Sequence, residues 1–370
     1  MKYLILIHSL TAGGAERVSV SLANHWVSNG DDVTVATISS AAKDFYELDS
    51  RVRRVPLCLD GKSQGGFNAL RNNVKRILAI RRVLREEGAD VAIGMMTTVG
   101  ILLTIASVGL RRSKVVVSEH NYPPMKPIGK VWASLRKWVY PHADGVTMLT
   151  SEGLSWLATN VPSATGVVMP NPFNYPIANV SPHLDPGAVV ASDKKVLLAV
   201  GSLTDQKGFD YLVEAFSKIS ARYESWHLVI LGEGQLRPAL EAMVERLDLC
   251  DRVSMPGRAG NIGDWYKRAD VYVMSSRYEG FPMTLGEAMS YGCAVVSFDC
   301  DTGPRDLIED GVNGVLVTPP GDPDSLATEL SKVMEDESLR KRLGASSIRV
   351  KDMFSTTSVA GRWSKFIKGI

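Results

Sequence analysis

The chain contains little cysteine, with only Cys58, Cys250, Cys293 and Cys300 among 370 residues. None of them has the spacing of a metal-binding cluster or of a disulfide framework, which excludes a small secreted scaffold and favours a reducing cytosol. The opening stretch, MKYLILIHSL, lacks the small-residue cleavage site of a secretory signal and is better explained as a first β-strand. We therefore predict a cytoplasmic protein.

An excess of charge of either sign is also missing. The formal net charge is +2, and charged residues make up 22% of the chain. A dedicated nucleic-acid binder normally carries a large positive surplus, so nucleic acid is not an expected partner. Apolar residues account for 45%, close to the globular average, which excludes a disordered or coiled-coil protein. The length predicts about two domains.

One uncharged stretch, from Val91 to Leu110, is long enough to cross a bilayer. Gly94 and the pair Thr97–Thr98 divide it into a short strand followed by a helix. It also lies between a helix and a further strand, as in a βαβ unit. We therefore predict a buried strand and helix here instead of a membrane span.

Apolar strand-like runs alternate with amphipathic helical segments from end to end of the chain. The strand candidates are YLILIHSL, DDVTVATI, DVAIGM, KVVVSEH and GVTML, then KVLLAVGS, HLVILGEG, RVSMPG, VYVMSS, AVVSFD and GVLVT. Runs that are apolar on both faces are typical of parallel strands covered by helices, so the fold class is α/β with a doubly wound plan in each half. Five prolines between residues 169 and 188 predict an interdomain linker from Asn171 to Ala188.

The strongest candidate site is EGFPMTLGEAMSYG, from Glu279 to Gly292. It follows the strand VYVMSS, and open α/β sheets bind ligands beyond the carboxyl ends of their strands. If Pro282 lies in the first turn of the next helix, the free amides of Met283, Thr284 and Leu285 point at an anion such as a diphosphate. The carboxylates of Glu279 and Glu287 would then suit sugar hydroxyls. The alternative is an ordinary turn with a surface carboxylate and a helical one.

Two further loops can approach a ligand closely. GSLTDQKG, from Gly201 to Gly208, follows the strand KVLLAV and offers Lys207 to a phosphate, although a solvated turn explains it equally well. TAGGAER opens a helix after the first strand with Gly13 and Gly14. This pattern is not the dinucleotide fingerprint, so a dinucleotide site is a weak interpretation.

His120, in VVVSEHNYPP, lies at the carboxyl end of another predicted strand. We predict that it orients or polarises a reacting sugar, with a histidine that merely satisfies the turn at Asn121 to Pro124 as the alternative. The triplet Asp299-Cys300-Asp301 has the spacing of a metal-binding pair. Since it leads into TGPRDLI, a turn with a helix cap at Asp301 or Thr302 is the better account.

Taken together, GGAER, SEHN, GSLTDQKGFDYLVEAF, EGFPMTLGEAMSYG and DTGPRDLIEDGVNGVLV make the whole chain resemble glycosyltransferase family 4. The resemblance implies the GT-B fold, in which two Rossmann-like doubly wound domains face each other across a cleft. We expect the acceptor-binding domain at 1–175 and the nucleotide-sugar-binding domain at 176–351, with a helix at 352–370 packed back on the first. The chain is also similar to the members that build bacterial surface glycans on polyprenyl-diphosphate lipids.

The resemblance implies a role for individual residues. Glu279 would contact the donor hexose, Glu287 the ribose hydroxyls and Lys207 the donor diphosphate. The Gly13–Gly14 turn would face the phosphates, and the segment at Gly257-Arg258 would cover the base. The family usually has arginine after the glycine of the GSL motif, and Ser202 in this chain removes that one cation from the phosphate site.

The expected activity is that of an α-retaining transferase, which moves a hexosyl or N-acetylhexosaminyl unit from a nucleotide diphosphate sugar to a hydroxyl of a lipid-linked saccharide. UDP is favoured over GDP by the resemblance. Catalysis would rest on positioning and on stabilising the leaving diphosphate, without a metal or other cofactor, because Lys207 and the helix amides supply positive charge. A nucleotide-sugar epimerase or hydrolase, and a non-catalytic sugar-nucleotide-binding subunit, are the alternatives.

An anionic membrane surface is the other expected partner. In segment 67–88, the basic residues of one predicted helix face are Arg71, Lys75, Arg82 and Arg85. In segment 126–140, a predicted apolar stripe beside three lysines consists of Ile128, Val131, Trp132, Leu135, Trp138 and Val139. Such amphipathic helices suit peripheral binding to the inner face of the cell membrane, unless the stripe packs into the first domain.

Overall fold

The computed structural model describes residues 1–11, 13–61, 66–110 and 113–370. The chain divides into two α/β units. Unit 1 comprises residues 1–172 and 356–370, and unit 2 comprises residues 173–355. The domain boundaries expected from the sequence, at 175/176 and 351/352, fall within a few residues of these divisions.

Unit 1 is built on a parallel sheet with the strand order β3-β2-β1-β4-β5-β6-β7. Its strands are β1 (Lys2–Ile7), β2 (Asp32–Thr37), β3 (Arg53–Pro56), β4 (Val91–Met95), β5 (Lys114–Ser118), β6 (Gly145–Met148) and β7 (Gly166–Val168). The central strands are buried along almost their whole length, because helices cover both faces of a parallel sheet.

The helices of unit 1 come from both ends of the chain. They are α1 (Gly14–Ser28), α2 (Gly66–Glu87), α3 (Thr97–Ser107), α4 (Lys130–Val139), α5 (Ser151–Asn160) and, last in the chain, α15 (Thr356–Gly369). Helix α15 packs against α1 and buries Val359, Trp363 and Ile367. The ring of Trp363 meets that of Trp26 edge-on, with centroids 6.3 Å apart. The end of the chain therefore completes the core of unit 1.

Unit 2 has a second parallel sheet, with the order β10-β9-β8-β11-β12-β13. Its strands are β8 (Lys195–Val200), β9 (Trp226–Leu231), β10 (Val253–Gly257), β11 (Val271–Met274), β12 (Ala294–Phe298) and β13 (Val315–Val317). Its helices are α6 (Pro186–Val189), α7 (Phe209–Ser220), α8 (Arg237–Arg246), α9 (Ile262–Arg268), α10 (Met283–Ser290), α11 (Pro304–Leu307), α12 (Pro323–Glu335), α13 (Glu337–Ser347) and α14 (Val350–Met353). The apolar face of α7 lies on the sheet, and its Leu212, Val213 and Phe216 side chains are fully buried in the core.

The strand order of each sheet reverses at one point. The first strand of unit 1, β1, lies between β2 and β4, and the first strand of unit 2, β8, lies between β9 and β11. At such a switch point the loops leaving the two central strands diverge and open a crevice at the carboxyl edge. The fold therefore directs attention to the loops after β1 and β4 in unit 1 and after β8 and β11 in unit 2.

The uncharged stretch from Val91 to Leu110 forms β4 and α3, which confirms the predicted strand and helix. Both elements lie in the core of unit 1, where the Leu102 and Leu103 side chains are buried. Within the described ranges, none of the helices combines the length and the apolar content needed to cross a bilayer.

The chain passes from unit 1 to unit 2 between Pro172 and Phe173, inside the predicted linker, and the rest of that proline-rich segment packs on unit 2. The backbone amide of Val180 donates to the carbonyl of Gly260, and that of Gly260 donates to Pro182. The amide of Leu184 donates to the Asn261 side chain at 2.9 Å. An extended, proline-rich segment still has amides between its prolines, and here these bond to unit 2.

Candidate functional site

Lys207 and Glu279 meet at the carboxyl edge of the unit 2 sheet. Lys207 ends a short 3₁₀ turn after β8, and Glu279 lies in the loop after β11, which are the two strands at the switch point. The Lys207 ammonium donates to Glu279 Oε1 at 2.6 Å. Both side chains are largely shielded, with 18% of the lysine and 6% of the glutamate side chain exposed. The structure thus brings together two predicted site residues that are far apart in sequence, as an ion pair.

Other groups that sequence reasoning missed hold the Glu279 loop. The buried Ser276 hydroxyl donates to Glu279 Oε1 at 2.6 Å, and the Gln206 amide reaches Oε2 at 3.5 Å. The Thr302 hydroxyl donates to the Glu279 backbone carbonyl. A serine three residues before a candidate glutamate is a signal that could have been read from the sequence, whereas the contribution of Thr302 comes from a different loop.

The start of α10 offers fewer free amides than predicted. Pro282 is the residue before the helix, and the Met283 amide donates to the Phe281 carbonyl at 2.9 Å. The prediction of a free amide is therefore wrong for Met283, because the proline turn closes on it. In the described part of the chain, the Thr284 and Leu285 amides have no backbone acceptor. These two N–H groups at a helix start remain available to an anion.

Glu287 lies one turn into α10 and is buried, at 4% exposure. The Tyr266 hydroxyl donates to its Oε2 at 3.1 Å. Burial raises the pKa of the Tyr272 phenol, the hydrogen bond with Thr284 lowers it, and the charges of Glu279 and Glu287 raise it further. The Tyr272 hydroxyl donates to the Thr284 hydroxyl at 2.8 Å, so it is hydrogen-bonded to the first turn of α10.

Glycines line the carboxyl ends of β8, β9 and β10. Gly232 has φ +147°, and a Cβ there would lie 1.8 Å from the Gly201 carbonyl oxygen, so only glycine fits. Gly257 has φ +102° and accepts from the Gly232 amide at 2.9 Å. Ser202 is exposed and close to Thr204, with 3.4 Å between their hydroxyl oxygens.

Arg258, directly after β10, is exposed. It lies near Glu233, whose pKa is lowered by hydrogen bonds from Arg237 and, to a smaller extent, by the charge of Arg258. The Gly257-Arg258 segment therefore lies at the same sheet edge as Lys207.

The Asp299-Cys300-Asp301 triplet does not cap a helix. Asp299 forms an ion pair with Arg305 at 2.6 Å, and the residue before α11 is Gly303, without a side-chain cap. The predicted cap at Asp301 or Thr302 is therefore wrong, because Thr302, at φ +62°, turns its hydroxyl toward the Glu279 loop. In the part of the chain that the structure describes, no three His, Cys, Asp or Glu residues are grouped as a metal site requires.

Gly13 and Gly14 lie at the start of α1, after β1 of unit 1. Gly13 is extended, and a Cβ there would touch the carboxylate of Glu16 in the first helical turn. Nothing lies within 4 Å of a Cβ at Gly14. The helix start is thus open on one side and carries an acidic side chain on the other, which weakens its attraction for a phosphate.

His120 follows β5 in unit 1. Its Nε2 is 3.1 Å from the Ser118 hydroxyl, and that hydroxyl accepts from Thr147 at 2.9 Å. Because Thr147 donates to Ser118, the Ser118 hydroxyl is able to donate its own proton to Nε2, an arrangement that corresponds to the Nδ1–H tautomer of the neutral ring. The buried Nδ1 has no well-formed hydrogen bond in the described ranges. Burial lowers the pKa of His120 to about 4, with the nearby Asn171 side chain opposing the shift.

A buried carboxylate beside His120 was not predicted. Glu119 is 1% exposed and accepts from Thr97, at 2.7 Å to Oε2, and from the Tyr140 hydroxyl. Arg136 lies 4.0 Å from it and stacks over the ring of Trp156. Burial raises the pKa of Glu119, and the hydrogen bonds from Tyr140 and Thr97 and the charge of Arg136 oppose that rise. The network ties the end of β5 to the start of α3 and to α4.

The helix surfaces predicted to face a membrane are only partly as expected. The stripe predicted on α4 splits: Trp132 and Leu135 pack against the core, whereas Val131 and Trp138 are 71% and 75% exposed. The four basic residues predicted on one face of α2, Arg71, Lys75, Arg82 and Arg85, are all exposed, and α2 also carries an exposed apolar row. It consists of Leu70, Val74 and Leu78, at one-turn spacing, and the basic Arg71 and Lys75 beside it are exposed. Helices α2 and α4 both pack against α3, so they belong to one layer of unit 1.

Two family models match the chain. Residues 184–350 match the glycosyl transferases group 1, and residues 13–172 match the glycosyl transferase 4-like domain. An α-1,4-N-acetyl-D-galactosaminyltransferase of Campylobacter jejuni, named for a PP-undecaprenol-linked saccharide, is 30% identical over 99% of this chain and 98% of its own length. The amylovoran biosynthesis glycosyltransferase AmsD of Erwinia amylovora is 25% identical over 99% of each chain. The crystal structure of Anabaena HepE in complex with UDP superposes with a TM-score of 0.80 at 18% identity and covers 100% of both chains.

Proposed function

Since the chain belongs to glycosyltransferase family 4 and has the GT-B fold, we propose that it transfers a hexosyl or N-acetylhexosaminyl unit from a UDP-sugar, with retention of configuration, to a lipid-linked saccharide. The observation that carries the donor half of this proposal is the Lys207–Glu279 pair at the switch point of unit 2. In such a shielded pair, the ammonium can bind a diphosphate and the neighbouring carboxylate can accept hydrogen bonds from sugar hydroxyls.

The roles of the unit 2 residues follow from their positions. The Lys207 ammonium and the Thr284 and Leu285 amides stabilise the negative charge that develops on the leaving diphosphate. Glu279 accepts hydrogen bonds from the transferred sugar, and Glu287 accepts them from the ribose. Because these groups supply positive charge directly, the reaction is proposed to run without a divalent cation.

In unit 1, His120 supplies a neutral hydrogen-bond donor to the saccharide. Its buried Nδ1 has no well-formed hydrogen bond within the described ranges, and a ring whose pKa is lowered by burial to about 4 is a weak base at neutral pH. His120 therefore positions the substrate, and the donor phosphate itself takes the acceptor proton.

The acceptor is proposed to be a polyprenyl-diphosphate-linked saccharide, on the model of the Campylobacter relative. Such a lipid is presented at a membrane surface. The apolar row Leu70, Val74 and Leu78, with Arg71 and Lys75 beside it, gives unit 1 a face suited to an anionic bilayer. We therefore place the enzyme peripherally on the inner face of the cell membrane.

The deciding experiment is transfer from a panel of UDP- and GDP-sugars to detergent-dispersed polyprenyl-diphosphate saccharides, with and without excess chelator. We expect one UDP-sugar to be used, chelator to have no effect, and the anomeric proton of the product to show an α linkage. Loss of activity in chelator that magnesium or manganese restores would contradict the metal-free mechanism. Conversion of the UDP-sugar without any acceptor would favour an epimerase or a hydrolase.

Membrane binding is tested separately by sedimentation with vesicles of phosphatidylglycerol and of phosphatidylcholine. Binding should require the anionic lipid and should be lost in Leu70→Ser/Leu78→Ser and in Arg71→Glu/Lys75→Glu. The matched control is Val312→Ser, which changes an exposed apolar residue of unit 2. Equal sedimentation of all these variants would exclude this face as the membrane contact.

A further inference from the structure

Arg277 lies two residues before Glu279, and its side chain extends to the loop that carries Lys207. Its guanidinium donates to both carboxylate oxygens of Asp210, at 2.9 and 2.6 Å. The same side chain donates to the Asp205 carbonyl at 2.7 Å. It also stacks over the ring of Tyr211, 4.1 Å from the centroid. One side chain thus spans the turn at 205–207 and the first turn of α7.

The backbones of the two loops are in contact at the same place. The Arg277 amide donates to the Gln206 carbonyl at 2.8 Å, and the Ser275 hydroxyl donates to the Lys207 carbonyl at 3.0 Å. At Gly208, with φ +57°, a Cβ would lie 2.2 Å from the Ser275 carbonyl oxygen. No side chain other than hydrogen allows the loops to approach so closely.

These contacts bear directly on the Lys207–Glu279 pair. The lysine is the last residue of the turn that Arg277 covers, and the glutamate follows Arg277 in the other loop. An ammonium on a four-carbon stem has many rotamers, so the position of its backbone decides where it can reach. Glu279 likewise depends on the path of residues 276–278. The distance between the two functional groups is therefore set by how residues 275–277 are held against 205–208.

We propose that Arg277, through Asp210 and the Asp205 carbonyl, is a positioning residue that holds the Lys207 loop against the Glu279 loop, so that ammonium and carboxylate meet one donor molecule together. This rests on the proposed function, because it assumes that these two side chains bind the donor. Only arginine can do this at full strength, since its planar fork matches a carboxylate with two parallel hydrogen bonds. Arg277 and Asp210 are 24% and 41% exposed, and ion pairs of that exposure add little to stability.

The test uses Arg277→Lys and Asp210→Asn in the full-length protein. The matched control is Arg222→Lys, which alters another arginine paired with a carboxylate, Glu335, and stacked on a tyrosine beyond the far end of α7. We expect kcat for sugar transfer to fall about 10- to 100-fold in both test variants, as for a misplaced catalytic group. The control should keep the wild-type kcat, and all three variants should keep the wild-type melting temperature.

A double-mutant cycle separates positioning from a general structural effect. Arg277→Lys should weaken UDP binding about 3- to 10-fold in the wild-type background, measured by calorimetry, because Lys207 is displaced. In the Lys207→Ala background the same substitution should change the UDP affinity less than about 2-fold, because the group that Arg277 positions is absent. An equal loss in both backgrounds, or a wild-type kcat in Arg277→Lys and Asp210→Asn, would overturn the proposal.

Sugar transfer and UDP binding by the wild-type protein show whether the positioning role alone fails or the proposed function fails as well. If the wild type transfers sugar and the Arg277 variants match it, only the positioning role fails. If the wild type transfers no sugar from any donor and does not bind UDP, the proposed function fails and the positioning role fails with it. A large fall in melting temperature for Arg277→Lys, without a fall for Asp210→Asn, would assign Arg277 to stability and would also overturn the proposal.

Discussion

Replacing Glu279 by glutamine should tighten nucleotide binding while it abolishes sugar transfer. The Lys207 ammonium donates to the Glu279 carboxylate at 2.6 Å. A diphosphate must compete with that carboxylate for the same cation. Glutamine keeps the size of the side chain and can still accept from Ser276, but it removes the competing negative charge.

The size of the effect follows from the strength of the bond that is weakened. Hydrogen bonds with a charged partner contribute roughly 1.5–3 kcal/mol, and the ammonium–amide bond of Glu279→Gln belongs at the lower end because only one partner is charged, so the lysine loses about 1 kcal/mol of intramolecular stabilisation. Because both side chains are mostly shielded, solvent screens little of this difference. At about 1.4 kcal/mol per factor of ten, UDP affinity should rise about 3- to 10-fold. Lys207→Ala should instead lower it by roughly 10- to 100-fold.

Titration calorimetry with UDP in the presence of chelator measures all three proteins under one condition. Glu335→Gln is the control, since it neutralises an exposed glutamate of α12 and should leave the affinity unchanged. If Glu279→Gln weakened UDP binding as much as Lys207→Ala does, the carboxylate would be a ligand of the nucleotide or a support for the lysine. That result would refute the competition between the Glu279 carboxylate and a diphosphate for the Lys207 ammonium.

Three further predictions concern stability. Gly286→Ala should lower the free energy of unfolding in urea by roughly 1–3 kcal/mol, because the new Cβ would lie 2.0–2.6 Å from the Phe173 ring. Gly361→Ala, with open space around its Cβ, should raise the free energy of unfolding by up to about 1 kcal/mol. Trp363→Ala should cost roughly 3–5 kcal/mol in denaturant unfolding, since this ring is 2% exposed in the core of unit 1. The pKa of His120 is depressed to about 4, so the unfolded chain binds a proton that the folded protein does not between pH 6.5 and 4. The wild type should therefore lose up to about 3 kcal/mol over that interval relative to His120→Gln, and parallel pH profiles of the two proteins would contradict this.

Much of the architecture was predictable because the central strands are continuous apolar runs. β4, β5, β8 and β12 all coincide with predicted strands, since burial on both faces leaves no polar alternation to obscure them. The two strands that were missed, β3 and β7, lie at the edges of the unit 1 sheet. β3 reads RRVP and β7 has only three residues, and edge strands are commonly short or charged.

The residues of the candidate site were predictable from the sequence, but the contacts between them were not. Lys207 and Glu279 follow two strands of the predicted sheet, so both could be identified as site residues. Their pairing depends on the switch point between β8 and β11, which brings together loops that are 72 residues apart in sequence. The contact of Arg277 with Asp210 has the same origin. Single-sequence patterns report the period and the ends of elements, and they carry no information on which distant loops become neighbours.

The attachment of α15 to unit 1 has a consequence for the order in which the protein is made. Unit 2 is one continuous segment, 173–355, whereas the core of unit 1 needs residues from both ends of the chain. During synthesis, residues 1–172 leave the ribosome long before Val359 and Trp363 can cover the face of α1. Unit 2 can reach its final packing while that face is still exposed, and unit 1 is completed last. A nascent chain halted before residue 356 would therefore leave that face of α1 uncovered, although residues 1–172 of unit 1 are made before unit 2.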